Sequence, residues 1–336
     1  MIAIQRRVLL TGAVALPLVS ICTRPVRAAD FSYKFATNLP SVHPMNVRIA
    51  AAIERIKTAT NGQLEIELFP NSQLGSDPDM LSQVRSGAIQ FFTLSGLILS
   101  TLVPLAAING VGFAFKDTDQ VFAAMDGKLG ALVRAEIDKR GLMAFPHIFD
   151  SGYRQITSSV KPIHSPDDLK AMKIRVPPSA LWTSMFTAFG ASPTTISFNE
   201  TYSALQTKVA DGQENPLSVV DTAKLYEVQS YCSMTNHMWD GFWLLTNKRA
   251  FGQLPQPMQD IATREFGQAV TEARVDVAKL NADLQAQLAA KGLKFNDTDP
   301  VAFRDVLRRA GFYTEWKRRF GDEAWATLEG VVGPLS

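Results

Sequence analysis

The 336-residue chain reads as an α/β protein of two units, and three observations carry that reading. Strand-like and helix-like patterns alternate from Phe31 onward in the order β-α-β-α-β, the grammar of a mostly parallel sheet. The composition shifts near residue 152, where a second run of strands and helices begins. The length itself exceeds what one hydrophobic core of ordinary size takes up. With 46% hydrophobic and 20% charged residues, the chain has the make-up of a soluble globular protein.

The front of the chain differs in kind from the rest. Arg6-Arg7 precede an apolar run, Val8 to Ile21, and Val26-Arg27-Ala28 offers a small-residue cleavage site. Residues 1–28 therefore read as an export signal, whose apolar part is too short to span a bilayer. The paired arginines point to the twin-arginine route, and the expected location is the periplasm. Cleavage near Ala28 removes Arg6, Arg7, Arg24 and Arg27, so a net charge of +2 falls to −2. A near-neutral balance argues against a nucleic-acid partner, which requires a basic field. Cys22 leaves with the signal and Cys232 stays alone, so no intrachain disulfide is expected.

The elements of the first unit follow from pattern and punctuation. Phe31 to Ala36 alternates as a strand and runs into a polar, Pro-rich loop ending at Pro44. A helix then carries Val47, Ile49, Ala50, Ile53 and Ile56 on one face and stops at Asn61-Gly62. Leu64, Ile66 and Leu68 mark a second strand, ended by Pro70. After the loop Asn71-Ser72-Gln73-Leu74-Gly75, a helix turns Met80, Leu81 and Val84 inward and is capped by Gly87. Ile89 to Leu94 reads as a buried strand. The Gly110-Val111-Gly112 segment is not a dinucleotide fingerprint, because Phe115 occupies the third glycine position. Asp119 to Arg140 reads as one amphipathic helix ending at Gly141, and Leu142 to Phe145 as a strand.

In the second unit, Gly152 to Ser159 reads as a crossover strand and Pro162 to Leu169 as a loop. Met172, Ile174 and Val176 alternate with Lys173 and Arg175 in a short strand that Pro177-Pro178 stop. The next helix bears Leu181, Trp182, Met185, Phe186 and Phe189, aromatics most simply read as core. Ala191 to Thr195 is a connection. Ser197 and Glu200 form a capping-box pattern, Tyr202, Leu205 and Val209 an apolar stripe, and Gly212 a helix end. Asn215 follows directly. Leu217 to Val228 is helical, and Tyr231 to Leu245 holds His237, Trp239, Asp240, Phe242 and Trp243. These tryptophans are either core or the apolar wall of a pocket. Pro257 to Lys291 reads as one very long helix that bridges both units, with Gly267 a place where it could bend. A short strand from Leu293 to Asn296 and helical sequence from Asp299 complete the chain.

Enzyme signatures are thin. There is no Gly-x-Ser-x-Gly elbow, Walker loop or His-Glu-x-x-His pair, and His43, His147, His164 and His237 are scattered. The stretch from residue 172 to 216 holds the chemistry. Arg175 sits at the last turn of a strand, where α/β sheets present side chains to ligands. Its planar fork matches a carboxylate with two parallel hydrogen bonds, and Asn215 can add a neutral donor. The alternative is a structural ion pair between Arg175 and Glu214 or Asp211. Two α/β units, an export signal, positioned arginines and an aromatic cluster together fit an extracytoplasmic binding protein whose two lobes close about a hinge.

Several motifs in order extend this. Phe69-Pro70-Asn71-Ser72-Gln73-Leu74-Gly75, Tyr153-Arg154-Gln155, Lys173-Ile174-Arg175-Val176-Pro177, Leu205-Gln206-Thr207, Asp211-Gly212-Gln213-Glu214-Asn215-Pro216 and Met234-Thr235-Asn236-His237 stand along essentially the whole chain after the signal. In these the chain resembles the substrate-binding proteins of tripartite ATP-independent periplasmic (TRAP) transporters, the C4-dicarboxylate- and sialic-acid-binding type. The resemblance implies a two-lobed Venus-flytrap fold with a long interdomain helix. It implies that Arg175 forms the salt bridge to the ligand carboxylate, that Arg154 is a second arginine near the anion, and that Asn215 hydrogen-bonds the carboxylate. Phe198 would line the pocket, with Asn38 and Gln73 facing ligand from the first lobe. Lobe I would comprise residues 30–151 plus 241–280, and lobe II residues 152–240 plus 281–330.

The implied function is capture of an organic acid and delivery to a TRAP membrane permease of small and large subunits, without chemistry and without a cofactor. One branch of the family binds a metal through a Glu-Trp pair near Trp239-Asp240. Here the order is Trp then Asp, and no metal is expected. Trp239 and Trp243 beside Asp240 would suit a sugar acid, a uronate or aldonate, with rings against the carbon face and a carboxylate for hydroxyls. A C4-dicarboxylate or small hydroxy or aromatic acid is the alternative ligand, and a periplasmic enzyme acting on an organic acid the alternative class. A monomer is expected.

Overall fold

The computed structural model describes residues 29–335, so the expected export signal lies outside the described residues. Strand β1 (Phe31–Thr37) leads to α1 (Pro44–Ala59), β2 (Leu64–Phe69), α2 (Asp77–Ser86) and β3 (Phe91–Ser95). β1 pairs in parallel with both β2 and β3, as the alternating pattern requires. Helix starts are set by local chemistry. Pro44 takes the first turn of α1, where its missing N–H costs nothing, while His43 Nδ1 accepts from the Met45 amide. Ser76 and Asp79 form a reciprocal capping box on α2, and Gly87 closes that helix with φ of 88°. Val47, expected on the buried face of α1, is exposed.

Next come α3 (Gly96–Leu99), a 3₁₀ turn over Pro104–Gly110, α4 (Thr118–Met125), α5 (Lys128–Asp138), β4 (Leu142–Ala144) and β5 (Phe149–Ser158). The single helix expected over Asp119–Arg140 is thus two. The chain turns so tightly at the break that a Cβ on Gly130 would lie 1.7 Å from the Met125 carbonyl oxygen, a place only glycine fits. Arg274, from the long helix described below, holds this broken pair. Its guanidinium donates to Asp126 at 2.7 and 2.8 Å and stacks 3.9 Å over the Phe122 ring.

The remaining elements are β6 (Lys173–Val176), α6 (Ala180–Ala188), β7 (Ser192–Thr195), α7 (Phe198–Gln206), β8 (Gly212–Pro216), α8 (Leu217–Thr222), β9 (Tyr231–Met234), β10 (Trp239–Asn247), α9 (Lys248–Gly252), α10 (Gln256–Ala290), β11 (Lys294–Asp297), α11 (Pro300–Arg309), α12 (Phe312–Phe320) and α13 (Asp322–Val332). Four expectations change here. Ser192–Thr195 is a strand, added in parallel to β6 at the sheet edge, where Pro193 is tolerated. Ser197 precedes α7 but its side chain makes no cap bond, and α7 stops at Gln206, leaving Val209 exposed. Gly212 begins β8 instead of ending a helix. A Cβ there would meet the Thr157 carbonyl oxygen at 2.4 Å, so glycine is needed for the close approach of β8 to β5. The helix read over Leu217–Val228 ends at Thr222 and continues as a 3₁₀ turn.

The strands form one sheet in the order β2-β1-β3-β10-β5-β8-β6-β7. Strand β5 joins its two halves. Phe149 to Tyr153 pair with β10, whereas Arg154 to Ser158 pair with β8, so the sheet changes partner between Tyr153 and Arg154. Helix α10 runs 35 residues without interruption through Gly267, roughly 50 Å, and packs on α1, β5, α8 and β11. The last helix, α13, packs on α4 and α5. Phe91 sits amid Phe35, Phe145, Phe251 and Phe266 in one core, with ring centroids 5.3 to 6.3 Å apart. Cys232 lies in another, with Leu205, Leu284 and Leu288.

Burial pushes the Cys232 thiol up to about 12, so almost no thiolate exists at pH 8. A thiol reagent at that pH should leave the folded mature protein unmodified and titrate a single thiol once denaturant unfolds it. Prompt labelling of the native protein would contradict this packing.

Candidate ligand site

The carboxyl ends of the parallel strands β1, β3, β6 and β8 converge where the two halves of the sheet meet, the place at which open α/β sheets bind ligands. Between them lies a narrow, nearly closed cavity of about 20 Å³. Its polar lining is Asn38, Ser95, Arg154, Arg175, Asn215 and Asp240, and its apolar walls include Trp182, Phe198 and Phe242. A larger and more open cleft, about 690 Å³, is lined elsewhere by Phe113, Tyr153 and Arg304. Its charged residues, Lys116, Asp297 and Arg304, are exposed or half-buried, whereas Arg154, Arg175 and Asp240 are buried, so the inner cavity is the candidate.

Arg175 is buried to 1% exposure, turned inward from the last residues of β6 before Pro177. Its Nε donates to the Ile196 carbonyl at 2.9 Å, which fixes the plane of the guanidinium. Nη1 and Nη2 are buried and have no hydrogen-bond partner. Burial, with the Arg154 charge nearby, lowers its pKa to about 10, while Glu214 and Asp77 hold it up. The fork therefore stays charged at neutral pH. A buried donor left unpaired costs the full loss of its hydration.

Arg154 is in the opposite condition. Its Nε pairs with Glu214, Nη2 donates to the Glu214 carboxylate at 2.9 Å and to Asn215 Oδ1 at 3.0 Å, and Nη1 donates to Asp240 at 2.9 Å. The guanidinium lies 4.6 Å over the Trp182 ring. Glu214 also meets His237 Nε2 at 3.1 Å, and His237 Nδ1 meets Thr235 Oγ1 at 2.8 Å. Asp240 accepts from Ser95 Oγ at 2.7 Å. Desolvation pulls against ionisation throughout this set. Glu214 nonetheless stays below its usual range because Arg154 and His237 favour its anion, and His237 is lowered by its burial. Asp240 is raised to about 6 by desolvation, which Arg154 and Ser95 only partly offset.

The positions expected from the sequence fall into two groups. Arg175, Arg154, Asn215, Phe198, Asn38 and Asp240 line the cavity together. Asn215 already donates from Nδ2 to Gln213 Oε1 at 2.5 Å, leaving its second N–H free, and it stands in strand β8 instead of a turn. Gln73 is not among the lining residues. It is exposed in its loop, whose neighbours Asn71 and Ser72 border an outer cleft. Trp239 also points away. Side chains alternate along β10, so Asp240 and Phe242 share the cavity face while Trp239 and Trp243 enter the core behind it. Trp239 donates to Asp150 there at 2.8 Å.

Sequence reasoning missed Trp182, read as core, and Phe242, which the two-residue spacing from Asp240 could have identified. It also missed Asp77, which is 1% exposed, accepts from Asn38 Nδ2 at 3.1 Å, and acts on the Arg175 charge. Among the described residues, no group of three or more His, Cys, Asp or Glu side chains is placed to hold a metal ion, and no helix is long and apolar enough to cross a membrane.

Residues 35–311 match the family profile of bacterial extracellular solute-binding proteins, family 7. The chain is 32% identical over 253 residues to the 2,3-diketo-L-gulonate-binding periplasmic protein YiaO of Escherichia coli, covering 75% of this chain and 77% of that one. Its fold matches the sugar acid binding protein DctPAm of Advenella mimigardefordensis, solved with galactonate, at a TM-score of 0.87 and 26% identity over 92% of this chain and 100% of that one. It also matches a TRAP periplasmic solute-binding protein of Sulfurospirillum deleyianum, solved with succinate, at 0.85 and 27% identity over 90% and 99% of the two chains.

The two arginines should separate in a denaturation experiment on ligand-free protein. Glu214→Ala strands the buried Arg154 charge and should cost about 3–5 kcal/mol of unfolding free energy. Arg175→Met removes a charge whose terminal nitrogens have no protein partner, and should leave stability unchanged or raised. A large loss in Arg175→Met would reveal a structural ion pair instead.

Proposed function

The chain belongs to the bacterial extracellular solute-binding proteins of family 7, the binding components of TRAP transporters, and on that premise we propose that it captures a sugar acid in the periplasm, closes on it and presents it to a membrane permease. One observation carries the reading: the Arg175 fork is charged, buried, fixed in plane and unpartnered at the wall of a cavity. A carboxylate supplies what the fork lacks, two parallel charge-assisted hydrogen bonds. The free N–H of Asn215 gives the same anion a further donor.

The rest of the cavity suits a hydroxylated carbon chain. Asn38 Oδ1 is buried without a partner and accepts a hydroxyl, while Trp182, Phe198 and Phe242 offer ring faces to C–H groups. The galactonate and diketogulonate relatives support a uronate or aldonate. The succinate-bound neighbour keeps a C4-dicarboxylate as the second reading. Closure would swing residues 30–151 plus 241–280 against residues 152–240 plus 281–330, with the sheet crossover at Tyr153–Arg154 as the bend. The role is binding and delivery, with a small and a large permease subunit as partners. Nothing in the cavity needs a nucleophile for it.

Thermal unfolding of the mature protein with organic acids tests the proposal. A uronate or aldonate should raise the midpoint in a concentration-dependent way, by about 2.7 kcal/mol of stabilisation at a hundredfold excess over Kd. Arg175→Met should abolish the shift while folding normally. No shift with any acid, in protein stripped by unfolding and refolding, would sink the reading. Conversion of the acid to product would replace it with an enzyme.

A further inference from the structure

We propose that Asp77 makes this site selective for singly charged acids, so that it accepts hydroxylated monocarboxylates and refuses dicarboxylates. The inference deepens the carboxylate reading of Arg175 and rests on it. It follows from a count of the buried charges in the cavity wall and directly bonded behind it, Glu214 through Arg154 and Asp77 through Asn38. Two arginines stand there, but only one is available: the Arg154 fork is committed to Glu214, Asp240 and Asn215. Against these two cations stand three buried carboxylates, Glu214, Asp240 and Asp77. With all of them ionised, the site carries one negative charge more than positive before any ligand enters.

One ligand carboxylate can be seated on Arg175. A second has no free cation to meet among the residues lining the cavity, and enters a cluster whose buried charges, with Glu214 and Asp77 behind the walls included, already sum to one negative. Like charges at this range in a desolvated site are strongly unfavourable. Asp77 is the member of the set not locked by an arginine. Oδ2 accepts only from Asn38, and Oδ1 is buried with no partner at all. Burial raises its pKa to about 6, against the pull of Asn38 and Arg175, so a neighbouring ligand anion favours its protonated form. Hydroxyl groups incur no such conflict, since they can donate to Asp240 and the free Asn38 oxygen.

Calorimetric titration of the mature protein with galactonate, erythronate, succinate and malate decides the matter. The wild type should bind the better of the two monocarboxylates at least about 100-fold more tightly than either dicarboxylate. Asp77→Asn keeps the shape and the contact with Asn38, and should narrow that ratio at least tenfold, chiefly by gaining affinity for the dicarboxylates. Succinate or malate binding the wild type as tightly as the monocarboxylates would overturn the proposal without any variant, and would leave the Arg175 reading standing. An unchanged ratio in folded Asp77→Asn would overturn the assignment to Asp77. Failure of all four acids to bind would remove both this proposal and the reading beneath it.

Discussion

The buried network around Arg154 is what the centre of this molecule depends on. One guanidinium on β5 joins Glu214 and Asn215 on β8 to Asp240 on β10, and Asp240 reaches Ser95 on β3. These strands belong to both halves of the sheet, and Arg154 occupies the point where β5 changes partner from one to the other. Charges this deeply buried persist only when paired and hydrogen-bonded, and here nearly every donor of the fork is used. The network therefore ties the two halves together at the crossover and leaves Arg154, though it lines the cavity, with most of its donors on protein groups. Arg175, one strand beyond β8, is the arginine whose outer nitrogens have no protein partner, and the proposed carboxylate contact rests on it.

The contrast between the two arginines is an energetic one. Arg154 contributes to the fold because its partners are protein. Arg175 is a burden on it, held by a single bond from Nε to a backbone carbonyl while its outer nitrogens are cut off from water. In the proposed function a ligand carboxylate would relieve that burden, and the free energy withheld from folding would become available to binding. Asp77 keeps the cost within limits by placing a negative charge near the fork without bonding to it. A direct Asp77–Arg175 pair would have stabilised the empty protein and competed with every substrate.

Much of this was legible in the sequence, and the failures have definite causes. Period-two alternation with a proline stop located β6 and put Arg175 at its end. The long apolar stripe gave α10 almost to the residue. Asn215 came from its place near the end of the 172–216 stretch, and motif resemblance brought in Arg154, Phe198 and Asn38, which spacing alone could not have gathered from distant parts of the chain. Local rules failed where tertiary packing overruled them. Gly212 has the signature of a helix end but serves a close strand approach, and Gly127 and Gly130 sit inside an amphipathic pattern that they break. The tryptophans of β10 drew attention by size, yet strand alternation gives the cavity Asp240 and Phe242 and sends Trp239 and Trp243 behind it. Asp77 was overlooked because an aspartate beside a capping serine reads as a helix start, whereas its importance comes from Asn38 and Arg175, far away in the chain.

The most direct test of this account is a crystal structure of the mature protein with a bound aldonate such as galactonate. The account predicts that the ligand carboxylate lies in the plane of the Arg175 fork, bonded to both Nη1 and Nη2, with Arg154 still on Glu214 and Asp240. A ligand whose carboxylate displaces Asp240 from Arg154, leaving Arg175 unpaired or turned onto Asp77, would contradict it.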